Sequence, residues 1–106
     1  MIKVNIKPLS VNKCWQGRRY KTKEYKGYER ELTLRLQPIE LPSKPYELII
    51  TFGFSNKLSD IDNSLKPTLD ILQKKYGFND RDIYKLVVKK HITKQPFIEF
   101  HLKSYK

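Results

Sequence analysis

All five aspartates of the 106-residue chain, Asp60, Asp62, Asp70, Asp80 and Asp82, fall in one short window, and every other acidic residue is a glutamate. The rest of the chain is strongly basic: 22 lysines and arginines against 11 aspartates and glutamates give a formal net charge of +11. A basic surface attracts a polyanion, and a compact carboxylate cluster can hold a divalent metal against it. That pairing points to metal-dependent nuclease chemistry. Within the window, Ser59-Asp60-Ile61-Asp62-Asn63 stands between an expected strand and an expected helix. Residues two apart in an extended segment point to the same side, so Asp60 and Asp62 can converge while Ile61 turns into the core. Two close carboxylates repel unless protonated or bridged by a cation, and oxygen ligands of this kind suit Mg²⁺ or Mn²⁺. Helix capping by Asp60, Asp62 or Asn63 is the plain structural alternative, but one cap uses one side chain.

Lys66 follows Asp62 at i+4, and Asp70 follows Lys66 at i+4, so the three share a helix face. An ordinary surface ion-pair ladder and a phosphate-binding Lys66 both fit this spacing, which does not choose between them. A calcium EF-hand is excluded, because Leu65 stands where the loop needs glycine. His91 and His101 lack metal-ligand spacing and read as structural or solvated. The lone Cys14 has no disulfide partner within the chain and no zinc pattern.

The elements that must position these side chains follow from periodicity. Ile2, Val4 and Ile6 alternate with polar residues as in a half-buried strand that Pro8 stops. Leu9 to Lys23 reads as a polar, basic loop. A helix is expected from a Thr22 N-cap, with Tyr25, Tyr28, Leu32 and Leu36 on one stripe and Pro38 just past its end. Tyr46, Leu48, Ile50, Phe52 and Phe54 alternate as a strand. A second helix is expected from about Asn63 to Tyr76, with Leu65, Leu69, Leu72 and Tyr76 inward, Pro67 near the first turn and Gly77 as its stop. Strands at Tyr84 to Lys89 and Ile98 to Leu102 complete the chain as a terminal hairpin. The order β-α-β-α-β-β predicts a single α+β domain over 1–106, a mixed β-sheet with two helices packed on one face.

The length fits one domain with a modest core, for which pairing with a second copy adds buried surface. No apolar run approaches the roughly 20 residues that span a bilayer, and no segment joins a basic face to a continuous apolar one, so no membrane partner is expected. With one cysteine and no signal-peptide core, a reducing cytoplasm is the expected location.

Several of these residues together resemble the RusA-like Holliday-junction resolvases of bacteria and phages. The resemblance rests on Pro8-Leu9-Ser10-Val11-Asn12 with the basic Arg18-Arg19, on Asp60-Ile61-Asp62-Asn63 followed by Lys66 and Asp70, and on Gly77-Phe78-Asn79-Asp80 leading to Ile83. It implies a homodimeric, Mg²⁺-dependent endonuclease that nicks four-way DNA junctions symmetrically in recombination and repair, encoded by a bacterium, prophage or phage. It also implies that Asp60, Asp62 and Asp80 are the catalytic, metal-binding carboxylates and Lys66 the essential lysine. The family often carries two consecutive aspartates where this chain has Asn79-Asp80, which leaves Asp82 as a rival to Asp80.

A straight helix from Asn63 to Tyr76 would be roughly 20 Å long, so Asp80 would lie near the opposite end from Asp60. An early helix end, or donation across a dimer, would reconcile the two, and the sequence leaves both open. Arg18, Arg19, Lys21, Lys23, Lys74, Lys75, Lys89 and Lys90 are the expected contacts to DNA backbones. Two other functions fit the same features: a non-catalytic basic binding module, and a nuclease of forks, flaps or single strands.

Overall fold

The strand Tyr46–Phe54 is the centre of the molecule, and its alternation explains why. Tyr46, Leu48, Ile50, Phe52 and Phe54 are all buried, while Glu47, Ile49 and Thr51 on the other face are half-buried. Each such side chain taken out of water stabilises the fold by about 1.5–3 kcal/mol before entropy is counted. The computed structural model describes residues 1–17 and 20–106. In chain order its main elements are β1 (Ile2–Val4), β2 (Trp15–Gln16), β3 (Tyr20–Lys21), α1 (Lys23–Arg35), β4 (Tyr46–Phe54), α2 (Ile61–Tyr76), β5 (Ile83–Ile92) and β6 (Phe97–Ser104). Short 3-10 turns occupy Val11–Lys13 and Asp80–Asp82.

The main sheet has the order β1-β6-β4-β5. β4 pairs antiparallel with β6 and parallel with β5, and β1 pairs antiparallel with β6. Both helices cover one face. Tyr25, Tyr28, Leu32 and Leu36 from α1 and its C-terminal end join Ile71 and Leu72 of α2 in one core with β4 and with Ile98, Phe100 and Leu102 of β6. The α+β class, the mixed sheet and the one-sided helices are thus as expected. On the opposite face, Phe97 lies across Gly53, where an added Cβ would fall 2.3 Å from the ring, so no side chain fits there without displacing it.

The expected terminal hairpin does not form. β4 lies between β5 and β6, because β4, α2 and β5 make a crossover unit whose two strands run parallel. Parallel neighbours need a long connection, and α2 supplies it. The loop expected from Leu9 to Lys23 also holds structure: the Ser10 side chain caps the first 3-10 turn, and β2 pairs with β3. Cys14 is fully buried there, and the Thr22 N–H donates to its carbonyl at 2.9 Å.

α2 starts at Ile61, two residues earlier than its periodicity suggests. Its innermost residues are Ser64, Pro67, Thr68, Ile71 and Leu72, while Leu65, Leu69 and Tyr76 flank them half-buried. Pro67 therefore sits in the second turn, where it leaves the Asn63 carbonyl without its helical donor. Gly77 ends the helix as expected, in the left-handed conformation at φ 73°. Inside, the Tyr28 hydroxyl shares a 2.7 Å hydrogen bond with the Thr68 hydroxyl, which fixes α1 against α2. Burial pushes the Tyr28 phenol well above its ordinary range, although the Thr68 hydrogen bond opposes the shift.

Candidate metal and nucleic-acid site

Asp60 occupies the N-cap of α2 with extended backbone (φ −95°, ψ 131°), yet its side chain makes no capping hydrogen bond. Capping therefore does not account for this carboxylate. Asp62 lies in the first helical turn, and both side chains are exposed. Because the helix begins at Ile61, only Asp60 is extended; the two carboxylates share the helix start rather than one side of a strand. The unpaired N–H groups and dipole there favour negative charge, so two carboxylates are tolerated without a cationic partner among the described residues.

The loop before Asp60 is closed by local bonds. Lys90 on β5 donates its ammonium to the Lys57 carbonyl at 2.8 Å and to the Ser59 carbonyl at 2.5 Å. The Asn56 side-chain oxygen accepts from the Leu58 N–H at 2.9 Å and the Ser59 hydroxyl at 3.2 Å. Beside this loop opens a groove of about 530 Å³, lined in part by Lys7, Lys13, Glu24, Asp60, Asn63 and Ser64. Two cations and polar donors thus share a concavity with Asp60, which suits an anionic backbone beside a carboxylate-held cation.

Lys66 is exposed on the next turn and Asp70 is half-buried. Among the described residues, no ion pair links Asp62, Lys66 and Asp70, so the surface ladder is absent. Asp70 turns toward the β2–β3 region: burial first, and then its charge, push the Cys14 thiol up and the Tyr25 phenol up to about 12.

Asp80 and Asp82 stand elsewhere. They form the turn between α2 and β5, at the end of the sheet where Tyr46 pairs with Ile83. Asp60 follows the loop at the other end, where Phe54 pairs with Ile92. The 16 residues of α2 separate the two ends by about 24 Å. The helix does not end early, so neither Asp80 nor Asp82 reaches Asp60 within one chain. Among the described residues no three His, Cys, Asp or Glu side chains gather to hold a metal. Asp82 is 3.5 Å from the Lys44 ammonium, whereas Asp80 is exposed.

The expected DNA contacts divide. Arg18 and Arg19 lie outside the described residues. Lys21 and Lys74 both reach Glu29, at 3.2 and 3.0 Å. Burial alone would raise the Glu29 carboxyl, but the hydrogen bonds from Lys74 and Lys21 outweigh it and hold it below its usual range. Lys90 closes the loop before Asp60. Lys23, Lys75 and Lys89 are exposed, the first beside the start of α1, the second near the end of α2 and the third on the edge strand. Lys7 and Lys13, which line the groove, were not among the expected contacts. They flank Pro8-Leu9-Ser10-Val11-Asn12, the stretch that carried part of the resemblance.

A search of the curated proteins returned no match. The family model described as endodeoxyribonuclease RusA matches residues 6–103, leaving only the first five and last three residues of the chain outside it. A match of that extent takes in the groove, both ends of α2, strands β4 and β5 and all but the last residue of β6, and by it the chain belongs to the RusA endodeoxyribonuclease family.

Proposed function

We propose that this protein is a divalent-metal-dependent endonuclease that resolves four-way DNA junctions by paired symmetric nicks, acting as a homodimer in the bacterial cytoplasm. The family match over residues 6–103 carries the reading. The donor set at the start of α2 fits the metal. Mg²⁺ keeps several waters and commonly takes one or two protein carboxylates plus substrate phosphates. Asp60 and Asp62, exposed and without an ion-pair partner among the described residues, match that habit. When bound, such a cation supplies positive charge for water attack on a phosphodiester and for the leaving oxygen.

The chain's own residues would then act as follows. Asp60 and Asp62 would hold the cation. Asp80, which does not reach Asp60 within one chain, would be the third carboxylate only as supplied by the second copy of the homodimer. Lys66, one turn further along α2, stabilises negative charge developing on the phosphoryl oxygens. Lys7 and Lys13 hold a DNA backbone in the groove beside Asp60 without reading bases. Lys90 acts indirectly, by fixing the loop that delivers Asp60.

The test is cleavage of a mobile four-way junction, a fork, a flap and a single strand, each with Mg²⁺ and with chelator. The reading expects metal-dependent paired nicks in the junction and slower cutting of the others. Equal or greater cutting of forks or flaps would replace it with a general branched-DNA nuclease. Tight junction binding with no cutting under any divalent metal would leave only a binding module.

A further inference from the structure

The two-stranded ribbon of β2 and β3 rises from the rim of the groove. Lys13, which lines the groove, leads directly into β2. Where β3 ends, the Thr22 hydroxyl donates to the Lys13 carbonyl and the Thr22 N–H to the Cys14 carbonyl, so the base of the ribbon is fixed. Two large aromatic side chains stay in water along it: Trp15 is 45% exposed and Tyr20 74%. The register pairs Trp15 with Lys21 and Gln16 with Tyr20. Residues paired across a ribbon share a face, so the two aromatics stand on opposite faces. On one face the Trp15 indole meets the Tyr25 ring edge-to-face at 5.7 Å between centroids, and the Lys21 ammonium lies 5.1 Å from the same ring. That contact orients the indole and leaves much of it open. On the other face Tyr20 packs on no other ring among the described residues.

We infer that this ribbon binds unpaired nucleobases, stacking Trp15 and Tyr20 on bases that leave the double helix where DNA branches. Every base has a π-face, and a ring flanked by cations holds base and phosphate together without regard to sequence. The cations are present: the described residues from 13 to 26 include Lys13, Lys21, Lys23 and Lys26 against Glu24 alone. Intact duplex is the wrong ligand, because its base faces are already covered by their neighbours. An acidic protein surface would satisfy the lysines, but two rings on opposite faces make no common patch for it to bury. They suit strands that part around a ribbon.

The inference deepens the junction-resolving reading and rests on DNA being the ligand. Carboxylates with a cation, Lys66 and the groove lysines all engage phosphates, which any DNA offers. Unpaired bases occur only at a branch, a gap or an end, so a stacking ribbon beside the groove adds selectivity that phosphate contacts lack.

Trp15 is the one tryptophan of the chain, so its fluorescence reports on the ribbon alone. With chelator present, a short oligothymidylate should quench that emission. An abasic strand of equal length and a blunt duplex of equal charge should quench it far less. Tyr20→Ala should weaken oligothymidylate binding about tenfold and leave duplex binding unchanged, and Tyr20→Phe, which keeps the ring, should restore it. Trp15→Ala, followed by anisotropy of a labelled oligothymidylate, should show the same selective loss. Trp15 packs on Tyr25, so should that variant fail to fold, the exposed Tyr20 carries the test. A wild type that does not bind oligothymidylate, or is quenched equally by the abasic strand, overturns the inference. So does a Tyr20→Ala that keeps wild-type affinity or loses strand and duplex binding alike. If selective quenching is seen but no junction is cut under any divalent metal, the nuclease reading fails and base stacking by the ribbon stands.

Discussion

The two ends of α2 carry the same kind of residue in opposite circumstances. At its start, Asp60 and Asp62 are exposed and make no ion pair among the described residues, and Asp60 borders a groove with Lys7 and Lys13. At its finish, Asp82 has Lys44, and Lys74 has Glu29. The helix dipole favours both arrangements, carboxylates at the N-terminus and lysines at the C-terminus. What distinguishes them is partnership. At the far end Asp82 and Lys74 are paired, while at the near end neither carboxylate has an ion-pair partner among the described residues. The difference teaches that a carboxylate's sequence distance from a cluster says little about its use.

The largest effect should come from the unpartnered end. Asp60→Asn and Asp62→Asn each remove a cation ligand while keeping shape, and each should lower junction cleavage about a hundredfold or more. Junction binding should be kept or tightened, as the repulsion between carboxylate and phosphate falls. Gel shift and single-turnover cleavage on the same preparation check both halves. Wild-type rates in either variant would break the contrast between the ends. Lys66→Ala should come next, with cleavage reduced about a hundredfold and thermal stability unchanged, because Lys66 is exposed and makes no ion pair among the described residues.

How much of this was legible in the residues differs by element. β4 was readable because a strict period of two leaves one interpretation, and its five alternate apolar residues are all buried. The second helix was readable in its stop, since Gly77 takes the left-handed conformation, but not in its first turn, where Ile61-Asp62 reads equally well as loop. Strand pairing was not readable. The pattern of β5 marks a strand but carries no information about its neighbour, and the nearest strand in sequence proved not to be the one beside it. Two-residue strands such as β2 and β3 have no period to detect. Asp60 and Asp62 could be found from composition, whereas Lys7 and Lys13 needed the groove to be seen.

Smaller effects sharpen the comparison. Lys90→Met removes the donor to the Lys57 and Ser59 carbonyls. It should slow cleavage about tenfold through a looser Asp60 and leave junction affinity nearly unchanged. A large affinity loss would instead make Lys90 a direct phosphate contact. Tyr28→Phe removes the bond to Thr68 between the helices, at a cost of about 1 kcal/mol by chemical denaturation. At the partnered end, Glu29→Gln should cost about 0.5–1 kcal/mol near neutral pH. The sign of its pH dependence follows from the lowered carboxyl. The contribution is fully present above the ordinary value of 4.5 and is lost as pH falls through the folded value. Wild type and Glu29→Gln should therefore converge in stability in acid, and a gap that persists there would rule out the ion pairs as its source.

The central claim is that the start of α2 is where DNA is cut, and single-turnover cleavage of a synthetic four-way junction tests it most directly. The measurement compares wild type with Asp62→Asn across a Mg²⁺ titration. The account predicts nicking by the wild type that rises with Mg²⁺, and a variant that binds the junction as tightly but does not nick it at any Mg²⁺ concentration. A variant that cuts at the wild-type rate, or a wild type whose cutting ignores Mg²⁺ and chelator alike, would contradict it.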